Sequence, residues 1–577
     1  MAWLEQNGGS VHDALDFDEA ERVMTAKSSL PKGEPLFNIP PACLISYASI
    51  QSSAFGTNIA KTIQAVMREE ADNANADANN KNNKDNEDKI ATTKGFYSTK
   101  QDLAIALCLA HLQEASSTTS STSTTTDDKH DFQLYLNTLP ERSTFDKLPR
   151  RWPENQLQLW LQGSPLLARV QQQKQGIQRD YDLIRDKWME LFSNHKGEKF
   201  PSFDTFSDML AAVSSRAFAG FGGNHKDNNN TDDDENDKDD LDKNIAMVPL
   251  LDLCNHCRGE ANTTKNVAYQ QAQSSTSSKD KNGCVVVTAH QTFSAGEALR
   301  ITYGARSNAQ LLLNYGFCIP DNVEPDGSSN DFLELDCGDS TAASRGRKKE
   351  HTTINDDKEP ISTIVLRAGP KAHCFHGFVN ALDQYVVKPA PRKGGDPECD
   401  EDEFGENEKE FEEWDMDMTC NMMEGEDDDD DDDEEDAGGG DLDNQQSVQR
   451  YLQALDSFEK RLEELRGGYF LQGEELDRVM SQPPQEQLTG ETTKAAEEDE
   501  AKRHAALLVK SELKMIYFTL LVIHRLKDIL GGTTAAESDA FETLASHFSK
   551  ENIQLWKEQA NQVASAFVSI RLPTLKR

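Results

Sequence analysis

The fold of this chain is decided by two stretches of sequence, IAMVPLLDLCNHC (Ile245–Cys257) and AGEALRITYGARSNAQLLLNYGF (Ala295–Phe317). The first predicts a buried strand over Met247–Leu251 that runs into a polar tip. The second predicts a strand over Leu299–Tyr303, because apolar and polar residues alternate there with a period of two. A helix is predicted to follow over Asn308–Tyr315.

Short signals mark the ends of these elements. Gly304 permits a turn that residues with a Cβ resist. Ser307, with Gln310 three residues later, is typical of a capping box at the start of a helix. Gly316 stands where a left-handed C-cap is expected. The second stretch therefore predicts a strand, a glycine turn and a short helix.

Together the two stretches resemble a known family. The pattern DxxNH over Asp252–His256, followed by GEx(5)YGxRSNAxLLxxYGF over Gly296–Phe317, is similar to the SET-domain protein methyltransferases. The similarity is to the branch typified by the Rubisco large-subunit lysine methyltransferases and the actin-histidine methyltransferase. It implies an α+β fold: a β-rich SET domain with a threaded active site, split by a helical insert and followed by an all-α domain. S-adenosyl-L-methionine (AdoMet) is the implied cofactor.

Composition shows how the 577 residues are divided. The hydrophobic fraction of 36% is low for a globular chain. Four polar inserts account for it, and we expect disorder in all four because they cannot bury enough apolar area. They lie at about 71–93, 115–129, 224–243 and 394–443. The acidic run Glu426–Asp436 is interpreted as a solvated linker, with a docking tail for a basic partner as the alternative.

These inserts suggest two domains. We expect a SET domain over 1–335, with its helical insert at about 101–244. A helical domain is expected over 336–577, because apolar residues recur there at helical spacing over Val448–Leu465, Ala501–Leu530 and Phe541–Phe567. The resemblance implies that this second domain binds the protein substrate.

Charge and cysteine usage narrow the possible partners. The net charge of −41 argues against direct binding of nucleic acid, which needs clustered Lys and Arg. No stretch reaches the roughly 18 apolar residues of a membrane-spanning helix. The start of the chain lacks the features of a signal peptide, and the ten cysteines have irregular spacings. We therefore expect an intracellular setting, in the cytoplasm and/or nucleus, with free thiols and no membrane contact. A monomer is a separate expectation.

The N-terminal segment matches the family in part. Short strands are predicted at Arg22–Ala26 and Glu34–Ile39, on either side of a turn at Leu30–Gly33. They resemble the opening strand pair of the family. Glu21 and Val23 stand where the family has glycines, which let the backbone approach the methionine part of AdoMet.

A further helix is predicted over Phe203–Phe218, capped by Ser202 or Asp204. Its end, SSRAF, resembles the family, which implies that Arg216 binds the AdoMet carboxylate; a guanidinium fork suits such a group. Without the resemblance, Arg216 would be a solvated arginine near the last carbonyls of a helix. The remaining cofactor-binding residues that the resemblance implies are Glu34, Leu36, Asp252, Asn255, His256, Tyr315, Gly316 and Phe317.

The resemblance also implies a catalytic residue and a substrate channel. Tyr303 stands at the position of the channel tyrosine, whose hydroxyl orients the acceptor amine, and Phe218 would line the same channel. Core packing is the alternative for either aromatic residue. A zinc site at Cys254, His256 and Cys257 is disfavoured, since a closed site needs four ligands and no second pair follows. No metal is expected.

Three functions are compatible with these residues. The first is an AdoMet-dependent protein-lysine N-methyltransferase. The second is histidine methylation of actin, because LDLCNH and YGARSNA are close to that relative. Phe218 favours lysine, since the histidine branch carries Asn there. The third is a SET scaffold that binds partners without catalysis.

Overall fold

A computed structural model describes most of the chain in two compact units. The described residues are 2–18, 22–79, 96–118, 132–192, 199–219, 245–257, 267–271, 284–323, 329–336, 363–369, 372–383, 385, 440–482, 494–531 and 544–572. The first unit comprises Met1–Glu154, Ala168–Arg306 and Gln310–Phe317, and the second comprises Asn155–Leu167, Ser307–Ala309 and Cys318–Arg577.

Short strands run through the first unit. They are β1 (Ser10–Val11), β2 (Leu15–Asp18), β3 (Val23–Ala26), β4 (Pro35–Ile39), β5 (Ile45–Ser46), β6 (Ala217–Ala219), β7 (Ile245–Met247), β8 (Asn255–His256), β9 (Val267–Gln271), β10 (Val285–Ala289) and β11 (Arg300–Ile301). Three antiparallel sheets have the orders β1-β4-β10-β9, β2-β3 and β5-β7-β6. The remaining pair, β8 and β11, is parallel, and it joins the two stretches that decide the fold.

Helices lie between and after these strands. They are α1 (Ala2–Gln6), α2 (Tyr47–Ile50), α3 (Ala54–Asn79), α4 (Lys100–Thr118), α5 (Gln133–Leu136), α6 (Glu154–Trp160), α7 (Leu166–Phe192), α8 (Phe203–Arg216) and α9 (Asn308–Tyr315). Short 3₁₀ segments occur at Pro41–Cys43, Arg142–Lys147, Pro149–Arg151 and Leu251–Leu253. In the first unit α4 packs against α8, and every residue from Leu103 to Ala110 of α4 is buried.

A second apolar core of the first unit lies under the sheets. We call it the sheet cluster; it includes Phe37, Ile39, Val285, Val287 and Ile301, all almost fully buried. Tyr303 and Phe218 pack against its edge as partly buried residues. The sheet cluster therefore anchors the backbone on which the predicted site residues lie.

Several predicted elements are confirmed, with changed bounds. The helix over Asn308–Tyr315 is α9, and Gly316 follows it with a φ of +79°. The helix predicted over Phe203–Phe218 ends at Arg216, and its cap is Ser202, whose Oγ accepts a hydrogen bond from the Thr205 N–H at 3.3 Å. Phe218 instead belongs to β6.

The strand predicted over Met247–Leu251 is wrong for most of its length. The strand β7 ends at Met247, because Leu250 adopts a φ of +69° and a 3₁₀ turn begins at Leu251. The predicted strand Leu299–Tyr303 likewise contributes only β11, Arg300–Ile301. Alternating apolar residues indicate that one side of a segment is buried. A tight turn can bury one side in the same way, so the pattern does not distinguish it from a strand.

The predicted opening strands form, but they do not pair with each other. The strand β3 pairs with β2, and β4 pairs with β1 and β10. The turn between them is held by the end of β10 and the segment after it: the Leu30 N–H donates to the Phe293 carbonyl at 3.0 Å, and the Gly33 N–H donates to the Ala289 carbonyl at 2.7 Å. These long-range bonds draw β4 onto β10 and away from β3.

The second unit is mainly helical. Its elements after α9 are β12 (Leu333–Asp336), β13 (Thr363–Leu366), α10 (Ala372–Asp383), α11 (Gly440–Gly467), α12 (Gly473–Ser481), α13 (Lys494–Ile529) and α14 (Lys550–Arg571). The domain boundary predicted after residue 335 falls at Phe317 instead. The antiparallel pairing of β12 with β13 explains the difference, since a hydrogen-bonded ladder holds both strands in one unit.

The structure corrects parts of the predicted disorder. Helices occupy 71–79, 115–118 and 440–443, as the ends of α3 and α4 and the start of α11. Helix growth is cooperative, so polar residues with adequate propensity extend a helix that packing has already nucleated. The remainder of the predicted inserts, 80–93, 119–129, 224–243 and 394–439, lies outside the residues that the structure describes. Among the described residues, no helix has the length and apolar character to cross a membrane.

Candidate active site

The end of α8 meets the polar tip that follows β7. Arg216, the last residue of α8, donates from Nη1 to the backbone carbonyl of Asp252 at 2.7 Å. The guanidinium therefore bonds the polar tip and not only the last carbonyls of its own helix. The Nε of Arg216 is buried and has no hydrogen-bond partner among the described residues. This leaves one buried donor for a ligand.

Asp252 supplies the complementary acceptor. Its side chain is buried, and Oδ2 accepts a hydrogen bond of 2.6 Å from the hydroxyl of Tyr135. The other oxygen, Oδ1, is buried without a hydrogen-bond partner in the described part of the chain. Burial raises the pKa of the Asp252 carboxyl, against the opposing effects of Arg216 and the Tyr135 hydroxyl. An unpaired buried acceptor costs roughly 1–3 kcal/mol, which a ligand with a donor would recover.

The parallel pair β8–β11 places the other residues of the tip. Asn255 lies opposite Arg300, and His256 lies opposite Ile301. Two residues later the Tyr303 N–H donates to Nδ1 of His256 at 3.0 Å. Because Nδ1 accepts this bond, the proton of the neutral imidazole is on Nε2. The Tyr303 hydroxyl donates to the Cys254 carbonyl at 3.2 Å, so both ends of Tyr303 are tied to the tip.

Four rings form one aromatic cluster beside Asp252. The Tyr303 ring stacks on Tyr315 with centroids 4.8 Å apart, and Tyr315 meets Phe317 edge-on at 6.2 Å. His256 lies 5.0 Å from Tyr303 and 6.3 Å from Phe317. Gly316 separates Tyr315 from Phe317, and a Cβ there would lie 3.0 Å from the Lys147 Cβ. Glycine thus permits both the left-handed φ and the close approach.

The surroundings keep Tyr303 protonated. Burial raises its pKa well above the ordinary value, and Tyr315 and Asp252 add to the effect while Arg216 opposes it. At neutral pH the side chain is therefore a neutral phenol, which donates one hydrogen bond and offers its lone pairs as acceptors. It cannot supply a phenolate base in this state.

Phe218 and the two N-terminal residues are placed differently. Phe218 is partly buried against the sheet cluster, which Tyr303 also contacts. Leu36 is 1% exposed within that cluster, and the Glu34 carboxylate lies 3.4 Å from His12 Nε2. None of the described contacts joins the side chain of Glu34 or Leu36 to the polar residues of the site. Their assignment to cofactor binding stays a prediction.

Two residues of this site were missed by the sequence reasoning. Tyr135 lies 117 positions from Asp252, and nothing in its local pattern signals that its hydroxyl reaches a carboxylate. Arg22 donates from Nη2 to the backbone carbonyl of Thr138, close after Tyr135. The signal available in the sequence for Arg22 is that it lies between the two positions where the resembling family has glycines.

The cysteines of the tip are free thiols. Cys254 and Cys257 are both buried, and burial raises the pKa of each thiol. The intervening Asn255 and His256 are extended, so the two cysteines are separated by about 10 Å of strand, beyond the reach of a disulfide. The described residues contain no group of three or more His, Cys, Asp or Glu side chains that could hold a metal ion.

One solved structure has the same architecture over nearly the whole chain. The crystal structure of the SET domain of LSMT, bound to lysine and AdoHcy, aligns with a TM-score of 0.51 and 13% sequence identity, and covers 96% of this chain and 96% of that one. This chain has a SET-domain fold. The SET-fold core here carries the predicted tip, in which Asn255 and His256 form the strand that pairs in parallel with β11. No family model matches the chain.

Sequence similarity joins this SET-fold chain to another set of proteins. The actin-histidine N-methyltransferase of Xenopus tropicalis is 28% identical over 199 residues, which is 34% of this chain and 29% of the relative. Its Homo sapiens counterpart is 27% identical over 209 residues, 36% of this chain and 29% of the relative. The chain thus matches less than a third of the length of these curated relatives.

Proposed function

We propose that this protein is an AdoMet-dependent protein N-methyltransferase. The observation that carries the proposal is the buried donor of Arg216 beside the buried acceptor of Asp252. The amino-acid end of AdoMet is a zwitterion, with an ammonium that needs an acceptor and a carboxylate that needs a donor. Asp252 Oδ1 would hold the ammonium and the Arg216 guanidinium the carboxylate, so these residues fit the cofactor.

The aromatic cluster suits the other end of the same molecule. Phe317 and Tyr315 offer ring faces and edges on which an adenine can stack. The His256 tautomer, with its proton on Nε2, provides a donor at the rim of the cluster. Asn255 is exposed and can add an amide contact. These groups would bind the cofactor without any metal ion.

Bound AdoMet supplies an electrophilic methyl group to an acceptor nitrogen. The chain's own part in the reaction is positioning, which can contribute at most about 7–11 kcal/mol to lowering the barrier. The Tyr303 hydroxyl donates its hydrogen bond to the Cys254 carbonyl, so its lone pairs can accept a hydrogen bond from an N–H of the acceptor. That contact would point the nitrogen lone pair at the methyl group.

The acceptor must be uncharged when it reacts. A lysine amine in water has a pKa of about 10.4, and desolvation beside buried aromatic rings disfavours its ammonium form. Tyr303 is itself held neutral, so it assists by orientation and by excluding water rather than by taking the proton. We propose that the released proton leaves to solvent before methyl transfer.

Lysine is the acceptor that Phe218 favours. If Phe218 lines the channel, it presents an apolar wall that suits the methylenes of lysine. An imidazole would need a partner for its second nitrogen, and without one it would lose roughly 1–3 kcal/mol. We further propose that the helical second unit binds the protein substrate, that the protein is a monomer, and that it acts in the cytoplasm and/or nucleus.

Histidine methylation is the second candidate. Two observations favour it: the similarity to actin-histidine N-methyltransferases, and the resemblance of the LDLCNH and YGARSNA segments to that branch. Matched peptides that differ only in Lys or His at the acceptor position separate the two. Faster methylation of the His peptide by the unmodified protein would replace the lysine assignment.

Two measurements test the proposal as a whole. Calorimetric titration with AdoMet should detect saturable binding, and incubation with labelled AdoMet and cell extract should label protein that mass spectrometry can assign to a residue. Tyr303→Phe serves as the matched control in both, since it should bind AdoMet and fail to transfer label. Absence of AdoMet binding by the wild-type protein would favour a non-catalytic SET scaffold instead.

A further inference from the structure

Arg22 closes the β2–β3 hairpin in an unfavourable backbone conformation. Its φ is +50°, in the left-handed region that glycine adopts far more readily than residues with a Cβ. The hairpin register pairs Asp18 with Val23, so Arg22 is the last residue of the connecting loop. A glycine would satisfy this backbone more easily, which suggests that the side chain has a use.

The side chain of Arg22 reaches towards the site through the turn after α5. Its Nη2 donates to the Thr138 carbonyl, and the Thr138 N–H donates back to the Tyr135 carbonyl at 2.8 Å. The Tyr135 hydroxyl in turn donates a hydrogen bond to the Asp252 carboxylate. A continuous set of hydrogen bonds therefore links Arg22 with Asp252.

The electrostatics agree with this placement. The pKa of Arg22 is lowered by burial and by the Arg216 charge, and raised by Asp252 and Glu141. Glu141 is exposed, so solvent screens its charge more than that of buried Asp252. If Asp252 holds the ligand ammonium, two guanidinium groups remain beside it for an anionic group.

We propose that Arg22 is a second binding residue for the carboxylate of the amino-acid end of AdoMet, acting together with Arg216. This inference rests on the proposed function. A guanidinium presents several N–H donors in a planar fork, so Arg22 can keep its bond to the Thr138 carbonyl and donate a further N–H to a carboxylate oxygen. The left-handed backbone at Arg22 would aim this fork into the site.

A structural role is the competing explanation. Arg22 could serve only to tie the hairpin to the Thr138 carbonyl. In that case its loss would lower the stability of the protein, or lower the affinity for every ligand of the site by the same factor. A carboxylate-binding role instead requires that the effect depend on whether the ligand carries the amino-acid end.

The test compares two ligands by calorimetry. S-adenosylhomocysteine (AdoHcy) carries the ammonium and carboxylate, whereas 5′-methylthioadenosine lacks both. In Arg22→Gly the affinity for AdoHcy should fall roughly tenfold or more, as expected for a hydrogen bond to a charged group, while that for methylthioadenosine should stay within about twofold. Arg22→Lys should lie between wild type and Arg22→Gly. Arg185→Ala, which removes a surface arginine of the same unit, should change neither affinity.

The outcomes separate the two proposals. If Arg22→Gly lowers the affinity for both ligands equally, or for neither, the role of Arg22 is overturned. The proposed function still stands in that case, provided that the wild-type protein binds AdoHcy. Failure of the wild-type protein to bind either ligand overturns both. Circular dichroism checks that each variant folds. If Arg22→Gly does not fold, Arg22→Lys provides the test through the ratio of its affinities for AdoHcy and methylthioadenosine. A ratio equal to that of the wild type rejects the proposal.

Discussion

Replacing Asp252 by asparagine should stabilise the free protein and weaken its binding of AdoMet. The carboxylate is buried, one of its oxygens has no hydrogen-bond partner in the described structure, and burial raises its pKa. Asparagine keeps the shape and can still accept the Tyr135 hydroxyl, which lies 2.6 Å from Oδ2. The substitution therefore removes a buried charge while it preserves the neighbouring bond.

The two effects have opposite signs and similar sizes. Relief of the buried charge, less the weaker bond from Tyr135 and the lost attraction to Arg216, should raise the free energy of unfolding by on the order of 1 kcal/mol. For a unit as large as the first one, that corresponds to a rise in Tm of about 1–2 °C. Loss of the charge-assisted bond to the ligand ammonium should cost about 1.5–3 kcal/mol, or roughly 10–150-fold in affinity.

The pH dependence of stability follows from the direction of the pKa shift. The pKa of Asp252 is higher in the folded protein than its ordinary value of 3.8, so the folded state holds the proton more tightly. The wild type should therefore lose stability relative to Asp252→Asn as pH rises from about 3.8 through the folded pKa, and the difference should close at lower pH.

Thermal melts from pH 3 to 8, with AdoMet calorimetry at neutral pH, measure these effects. Asp208→Asn is a control in the same unit, since Asp208 is a buried carboxylate paired with Arg151 and Arg142 outside the site. Its substitution should leave AdoMet affinity unchanged. A lower Tm together with unchanged AdoMet affinity in Asp252→Asn would refute the reasoning.

Three further predictions concern single residues. Tyr303→Phe should lower turnover about 100-fold or more with AdoMet affinity nearly intact, as single-turnover assays and calorimetry would show; wild-type turnover would reject its catalytic role. Phe218→Asn should shift preference from Lys towards His peptides by about 5–150-fold, measured as the ratio of initial rates, and an unchanged ratio would count against Phe218 in the channel. Gly316→Ala should destabilise the fold by roughly 1–3 kcal/mol in denaturant melts. Gly304→Ala should lower the free energy of unfolding by less. The φ of Gly304 is also positive, but the nearest atom to an added Cβ lies at 3.8 Å. Equal losses in the two variants would show that contact with Lys147 does not matter.

Local signals in the sequence predicted the elements that hold the site. The helix Asn308–Tyr315, the left-handed Gly316 and the Ser202 cap each depend on residues within a few positions of one another, so periodicity and capping chemistry are sufficient to find them. The same reasoning failed at Leu250, where a left-handed residue ends β7 early. Leucine rarely adopts this conformation, so its residue type does not predict such a turn.

By itself, the sequence determined the order of the two stretches, the residue types of the polar tip and the helical character of the C-terminal half. Only the tertiary structure decided that Tyr135 bonds Asp252, that Arg22 joins the same set of groups and that β12 belongs with β13. The reason is physical. Helix periods and caps are settled over distances of one or two turns, whereas a polar group finds its partner through packing between segments that are far apart in the sequence.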